Sequence, residues 1–331
     1  MNESKDYSKE TEVFKSQPRF IKYFKNQVVF IVLIIVGLST IMTILNPNFL
    51  TSRNLFAVLQ QVSVLGILSM GQALLMISGG IDFSVGTLMA LIAVIVTKLV
   101  TLGFNVFLAV FIVMVIAIIC GLINGVIVAK SKVMPIIITL GMMYVYYGIA
   151  LIISGGKNVS FQDKFQFLGR GKVGPIPFMV IVYLLVLVFA FLLFKYTKYG
   201  RRLTIIGSNS STAFLAGINV DLHKISIYTL NGLIAGFAGL VLASRLGTVI
   251  STVGNGYELQ AVASCIIGGI SLAGGSGNVF GAFFGVLLLG ILYNGMNIAG
   301  VSTYLQTIFL GLIIVITTVV SNINNIRERK G

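Results

Sequence analysis

Acidic side chains are scarce in this chain, which has nine Asp and Glu residues among 331. Asp82 and Glu258 adjoin long apolar segments, where an ionisable group costs about 3 kcal/mol or more and commonly marks a functional site. Each also stands near the expected start of a helix, where a carboxylate satisfies free N–H groups and meets the positive end of the helix dipole. The sequence leaves both interpretations open, a helix cap and a group on a transport pathway.

Other polar side chains lie within or at the ends of apolar segments and could line a path for a polar solute. Hydrogen bonding between helices is an equally good explanation of the amides among them. The candidate pathway or gating residues are Asp82, Ser84, Asn124, Glu258, Asn294, Asn297 and Gln306.

Patterns for catalysis or metal binding are missing from the sequence. It contains no GxxxxGK[ST] phosphate loop, no Cys/His cluster and no converging pair of acids. Cys120 and Cys265 are expected to be packing residues, and His223, in a basic loop, is expected to be solvated. We therefore expect no catalytic, cofactor or metal site, and a pump built on this chain must draw its energy from a partner.

A short segment in a long polar loop has the composition of a small, well-delimited helix. Ser and Asn residues at its start can supply an N-cap, about six residues can form the helix, and Gly217 can supply a left-handed stop. A helix this short does not persist alone, so it should rest against the membrane domain or a cytosolic subunit. The segment is Ser208, Asn209, Ser210, Ser211, Thr212, Ala213, Phe214, Leu215, Ala216, Gly217 and Ile218.

Membrane-spanning helices are the elements that must position these residues. Apolar residues make up 57% of the chain and charged residues 10%, which is too little polar surface for a soluble protein of this size. Uncharged runs reach about twenty residues, enough to cross a hydrocarbon core of about 30 Å. The predicted fold is an all-α polytopic bundle of about ten spans, at 28–45, 55–78, 84–102, 104–128, 134–153, 177–195, 224–246, 257–272, 278–296 and 302–321.

The net charge of +14 indicates orientation rather than nucleic-acid binding, because Lys and Arg are enriched on the cytoplasmic side of membrane proteins. With the N-terminus inside, most of the 23 basic residues fall in cytoplasmic segments. The predicted organisation is a cytoplasmic tail at 1–27, with no removable signal peptide, a permease domain at 28–321 with a cytoplasmic loop at 196–223, and a cytoplasmic tail at 322–331.

Glycine spacing predicts how the helices pack. Gly121/Gly125, Gly232/Gly236 and Gly277/Gly281/Gly285 recur every four residues, which lets neighbouring backbones approach closely on one face. In addition, the stretch 79–86 resembles the stretch 268–275. This similarity indicates a structural repeat with interrupted helices, although Gly-rich breaks can also match by chance.

Three motifs in this order resemble the permease subunits of ABC importers for ribose, xylose, galactose and related ligands. They are GGIDFSVG at 79–86, the loop at 207–220, and GYELQA at 256–261 with its Gly-rich continuation to 277. With 294–297 and 300–302, the resemblance covers about residues 46 to 321. It implies a type II-like permease fold in a bacterial inner membrane, with both termini cytoplasmic.

The resemblance also implies partners. These are a second permease copy, cytosolic ATPase subunits that bind ATP and Mg²⁺, an external sugar-binding protein, and membrane lipid. Ser208–Ile218 would be the coupling helix that fits a groove on the ATPase. Ser211-Thr212-Ala213 stands where many relatives carry Glu-Ala-Ala, so the contacts with the ATPase are expected to be less polar or differently placed.

Ribose is the expected substrate, and several alternatives stay open. Related permeases import branched-chain amino acids, nucleosides or a furanosyl signalling molecule. An ion-coupled secondary carrier would commonly place Asp, Glu or His in mid-span, and a membrane-embedded enzyme would need a nucleophile or a carboxylate pair. Neither pattern is present in the sequence.

Overall fold

The computed structural model describes residues 27–161 and 165–330, and apolar helices dominate it. The predicted all-α polytopic fold is confirmed. The helices of the described part are α1 Gln27–Leu45, α2 Ser52–Ile77, α3 Val85–Thr101, α4 Val106–Lys130, α5 Pro135–Ser154, α6 Phe167–Arg170, α7 Phe178–Tyr196, α8 Lys198–Ser208, α9 Ser210–Leu215, α10 Val220–Leu246, α11 Tyr257–Ile267, α12 Val279–Ile298 and α13 Thr303–Lys330.

Seven of these helices are long and apolar enough to cross a membrane: α1, α2, α4, α5, α7, α10 and α12. Three other predicted spans are shorter apolar helices, namely α3, α11 and the Thr303–Val319 part of α13. The prediction of about ten spans is therefore not confirmed for the described residues.

Helix α11 corrects a predicted boundary. It was expected to reach residue 272, but it ends at Ile267 because Gly269 takes a left-handed φ of 88° and turns the chain. The side-chain amide of Gln27, in the first turn of α1, donates a 3.2 Å hydrogen bond to the carbonyl of Ile267. The first described helix thus satisfies a backbone acceptor at the end of α11.

The predicted bounds of the two tails can be compared with the structure only in part. Of the N-terminal tail, Gln27 alone is described, and it begins α1; the rest lies outside the described residues. At the other end, the backbone of α13 stays helical to Lys330 instead of ending at 321.

The core is built around α2, α3 and α10, which are buried over most of their length, whereas α1, α4 and α5 expose most of their apolar side chains. The predicted glycine packing joins α4 to α10. A Cβ atom on Gly121 would lie 2.6 Å from the Tyr228 carbonyl oxygen, and one on Gly232 would lie 2.6 Å from the Gly121 Cα. Close approach at these glycines is therefore required. Gly277 precedes α12, so only Gly281 and Gly285 of the third series are helical.

Two pairs of two-residue strands join connecting segments at the C-terminal end of α10, which is the end away from α9. The strand β1 Val159–Ser160 pairs antiparallel with β4 Thr248–Val249, and β2 Lys172–Val173 pairs with β3 Ile176–Pro177. The Thr101 hydroxyl, at the end of α3, donates to the Ser160 carbonyl at 2.8 Å. The connections after α3, α5 and α10 thus form one linked surface.

Candidate functional site

The short helix α9 has the cap and the stop that its sequence predicts. The Asn209 Oδ1 atom accepts from the backbone N–H groups of Ser211 and Thr212 at 2.9 and 3.0 Å. After Leu215 the chain turns through Gly217, whose φ is 77°, and the Ile218 N–H donates back to the Ala213 carbonyl at 3.0 Å. Helical geometry occupies Ser210–Leu215 within the predicted Ser208–Ile218 segment.

The two faces of α9 differ sharply. Ala213 is fully buried, whereas the side chains of Phe214 and Leu215 are 70% and 85% exposed. Two adjacent, large apolar side chains at the tip of a connection form a candidate interaction surface, because their exposure to water is unfavourable.

Helix α8, which leads into α9, was missed by the sequence analysis. Its start is capped by the Thr197 hydroxyl, which accepts from the Gly200 N–H at 3.1 Å, and it buries Leu203 and Ile206. These two apolar residues, three positions apart, are the helical signal that was present in the loop sequence.

The expectation that His223 is solvated is wrong. Its side chain is buried at the start of α10, where its ring stacks on Tyr199 of α8 with ring centroids 5.7 Å apart. The Tyr199 hydroxyl lies 2.8 Å from the Ser226 hydroxyl, and burial raises the pKa of Tyr199. These contacts hold α8 against α10.

The end of α8 meets both interrupted helices at what we call the glycine junction, formed by residues 77–79, 207–208 and 274–275. The Gly275 N–H donates to the Ile77 carbonyl at 2.8 Å, and the Ser208 hydroxyl donates to the Gly275 carbonyl at 3.4 Å. A Cβ atom on Gly207 would overlap the Ile77 carbonyl oxygen and lie 2.5 Å from the Gly275 nitrogen. The two similar Gly-rich stretches therefore meet each other at the base of α9.

Asp82 is fully buried in the break between α2 and α3. Its Oδ1 atom accepts from the Ser84 N–H at 2.8 Å and from the Ser84 hydroxyl at 2.6 Å. The Asn124 amide of α4 donates to the Ser84 hydroxyl at 2.8 Å and to Asp82 Oδ2 at 3.4 Å. The Tyr146 hydroxyl of α5 donates to Asn124 Oδ1 at 2.8 Å. The structure thus brings three predicted candidates together in a network that joins the break to α4 and α5.

This geometry corrects the helix-cap interpretation of Asp82. Ser84 is the N-cap residue of α3 and makes no side-chain cap bond, while Asp82 binds Ser84 itself rather than the first turn of the helix. The carboxylate closes a local turn and orients the Ser84 hydroxyl.

Three further buried polar residues were missed by the sequence analysis, and one of them, Tyr146, belongs to this network. Tyr146, Gln72 and Asn231 are buried on α5, α2 and α10. The available signal was an uncharged polar residue in the middle of an apolar span, which indicates either a helix–helix contact or a pathway.

Glu258 links the starts of the two short helices α3 and α11. Its Oε1 atom accepts from the N–H of Gly256, the N-cap residue of α11, at 3.1 Å, which confirms a capping role. Its Oε2 atom lies against Gly86 in the first turn of α3. Both short helices therefore begin beside the same carboxylate, and the start of α3 lies a few residues along the chain from Asp82.

The remaining candidates lie at the other end of α2, a helix of 26 residues or about 39 Å. The Asn54 and Asn294 amides exchange two 2.9 Å hydrogen bonds, and the Gln306 amide donates to Asn297 Oδ1 at 2.8 Å. These bonds join α2, α12 and α13. The seven candidates thus form separate groups, and a pathway role for any of them stays a prediction.

The known proteins to which this chain is similar are permeases of transport systems. Residues 54–318 match the family described as branched-chain amino acid transport system, permease component. The ribose import permease protein of Bacillus subtilis is 40% identical over 84% of this chain and 88% of its own length. The corresponding protein of Escherichia coli K12 is 38% identical over 86% and 90%. The fructose import permease protein of Rhizobium meliloti is 33% identical over 88% and 83%. No solved structure matches the chain.

Proposed function

This chain belongs to the family of transport-system permease components, and from that premise we propose that it is the membrane-spanning subunit of a binding-protein-dependent ABC importer for ribose. Ribose is proposed because relatives named ribose import permeases are 38% and 40% identical to this chain. Relatives named for D-allose and fructose, at 36% and 33%, make those sugars the alternatives. Branched-chain amino acids are supported only by the family description.

The observation that carries the transport mechanism is the glycine junction at the base of α9. Backbone contacts there connect α8 to the end of α2 and to the turn after α11 without intervening flexible side chains. Since packed backbones cannot be compressed, a displacement of α9 moves both breaks. We propose that a cytosolic ATPase, which binds ATP and Mg²⁺, drives this displacement and so alternates access to a path near Asp82 and Glu258.

The proposed assembly contains two copies of this chain, two ATPase subunits and an external sugar-binding protein. This chain contributes no nucleotide site. Its segment Ser208–Ile218 is the coupling helix, with Phe214 and Leu215 entering the ATPase groove, and specificity resides mainly in the binding protein. The linked surface formed by β1, β4 and their neighbours faces outward, towards that protein.

The placement of α9 and the strands at opposite ends of α10, a helix of 27 residues or about 40 Å, supports assigning them to opposite sides of the membrane. The proposed bacterial cell membrane location has both termini and α9 in the cytoplasm, as the charge bias favours. Thiol labelling tests this proposal directly, since the native thiols of Cys120 and Cys265 are both buried.

A cysteine placed at exposed Ser211 is expected to react with a membrane-impermeant maleimide in inside-out vesicles and not in intact cells. A cysteine at exposed Lys172, in β2, is the matched control and should show the reverse pattern. Labelling of Ser211→Cys in intact cells would place α9 outside and contradict the coupling role.

Reconstitution tests the transport function itself. In proteoliposomes that contain the chain and its ATPase, labelled ribose is expected to accumulate only when ATP and the binding protein are both supplied. Uptake driven by a proton or sodium gradient alone would indicate a secondary carrier instead. Stronger competition by allose or fructose than by unlabelled ribose would change the substrate and leave the permease role intact.

A further inference from the structure

A cleft of about 440 Å³ lies where α4 ends and where α5 and α10 begin, at the same end of the bundle as α9. Its lining residues belong neither to the glycine junction nor to the network around Asp82. Its polar lining consists of Lys130, Lys132, Asp221 and Lys224, and its apolar lining includes Val128 and Pro135.

The cleft carries unbalanced positive charge. The Lys130 ammonium donates to the Asp221 carboxylate at 2.7 Å, so these two charges offset each other. Lys132 and Lys224 form no ion pair with any described residue. Three lysines therefore face a space with a single acid, and the two lysines left unpaired favour an anionic ligand.

The backbone conformation of Lys132 is unusual for a residue other than glycine. Its φ of 57° makes it the one non-glycine residue with positive φ in the described ranges. An L-residue in this region is disfavoured by about 1 kcal/mol or more, since its Cβ atom crowds the carbonyl oxygen. The chain nevertheless has a lysine here, and the turn places this residue in the lining of the cleft.

The surface next to the cleft is apolar and uncovered within the chain. On α4, Ile123, Val126 and Ile127 are exposed, and on α5, Ile136 and Ile137 are exposed. In a membrane protein such faces are solvated by hydrocarbon. The cationic cleft thus opens at the edge of a lipid-facing surface. The cleft suits the anionic headgroup of a phospholipid, and the apolar surface suits its acyl chains.

We propose that this cleft binds the headgroup phosphate of an anionic phospholipid, with the acyl chains lying along α4 and α5. Basic pockets between helices at the cytoplasmic face are suited to such headgroups, and lysines reach the interface while their aliphatic stems stay on apolar surface. An acidic segment of a partner protein would satisfy the charges but would not account for the adjoining apolar faces. The cytoplasmic placement of this cleft rests on the orientation proposed above, and the rest of the argument depends only on the chain being a multi-pass membrane protein.

The test uses the full chain in a neutral detergent, titrated with phosphatidylglycerol, with phosphatidylcholine, and with soluble glycerol phosphate. Thermal unfolding and native mass spectrometry report binding. We expect phosphatidylglycerol to raise the unfolding temperature and to remain bound in the mass spectrum. The double variant Lys132→Gln/Lys224→Gln should bind it on the order of 30-fold more weakly, since each basic residue contributes to attraction at an anionic lipid surface.

Lys198→Gln is the matched control, because Lys198 is an exposed lysine at the start of α8 outside the cleft. It should bind phosphatidylglycerol as the parent does, and all variants should unfold alike without lipid. An equal response to phosphatidylcholine, or an equal loss in Lys198→Gln, would overturn the proposal. Full protection by glycerol phosphate would identify a free-anion site instead. If the double variant lost ATPase association but still bound phosphatidylglycerol, the cleft would be a protein contact.

Discussion

Replacing Phe214 and Leu215 together with serine is expected to abolish ATP-driven uptake and to weaken association with the ATPase by at least about 30-fold. These side chains are 70% and 85% exposed at the tip of α9, and nothing else in the described chain covers them. Large apolar side chains that fill a partner's groove commonly contribute 2 kcal/mol or more each to binding. Co-purification of the ATPase with the tagged permease measures association, and vesicle uptake measures transport.

Leu222→Ser is the matched control for this experiment. Leu222 is a large apolar residue, 60% exposed, in the first turn of α10 and close in sequence to α9. It should leave ATPase association within about twofold of the parent. If the α9 double variant kept full ATPase binding, or if Leu222→Ser lost it equally, the exposed tip of α9 would not be the docking surface.

The Gly207→Ala variant should separate ATPase binding from transport. A methyl group there would overlap the Ile77 carbonyl oxygen and crowd the Gly275 nitrogen, and both neighbours are backbone atoms that cannot rotate away. Overpacking of this kind costs about 1–3 kcal/mol, so the backbone segments of the glycine junction must move apart. We expect uptake to fall at least about tenfold while the permease still inserts and binds its ATPase, because Phe214 and Leu215 are untouched.

Gly148→Ala provides the comparison, since a Cβ atom on Gly148, in α5, would meet nothing within 4 Å. It should transport at the parent rate. A Gly207→Ala permease with normal uptake would contradict transmission through the junction, and one that failed to insert would show that the junction serves folding. ATPase activity stimulated by the binding protein distinguishes the expected uncoupled state from simple loss of complex.

The spanning helices were predictable from the sequence because lipid imposes a simple rule on length and composition. Helices α1, α2, α4, α5, α7, α10 and α12 lie close to their predicted bounds. The errors fall on α8, on α11 and on the end of α13. An apolar stretch continues past Ile267, and only the left-handed backbone at Gly269 ends the helix there, which composition does not reveal. Helix α8 has only 11 residues and carries Lys198, Arg201 and Arg202, so its composition is that of a polar loop.

The candidate site was also predictable only where its features are local in sequence. The cap and stop of α9 are local, so Asn209 and Gly217 could be recognised from their neighbours in the sequence. The network around Asp82 is not local, since Asn124 and Tyr146 come from two later helices. Their convergence depends on which helix faces are packed together, and the local sequence of each helix does not specify that packing.

The bond from Gln27 to the carbonyl of Ile267 bears on how the protein is made. The two residues are 240 positions apart, and irregular backbone at membrane depth needs protein cover because hydrocarbon offers it no hydrogen-bond partner. Helix α1 can therefore complete this contact only after the chain has been synthesised as far as Ile267. Insertion in order of synthesis leaves α1 without this partner at first, and the contact forms when α11 reaches a helix that entered the bilayer before it.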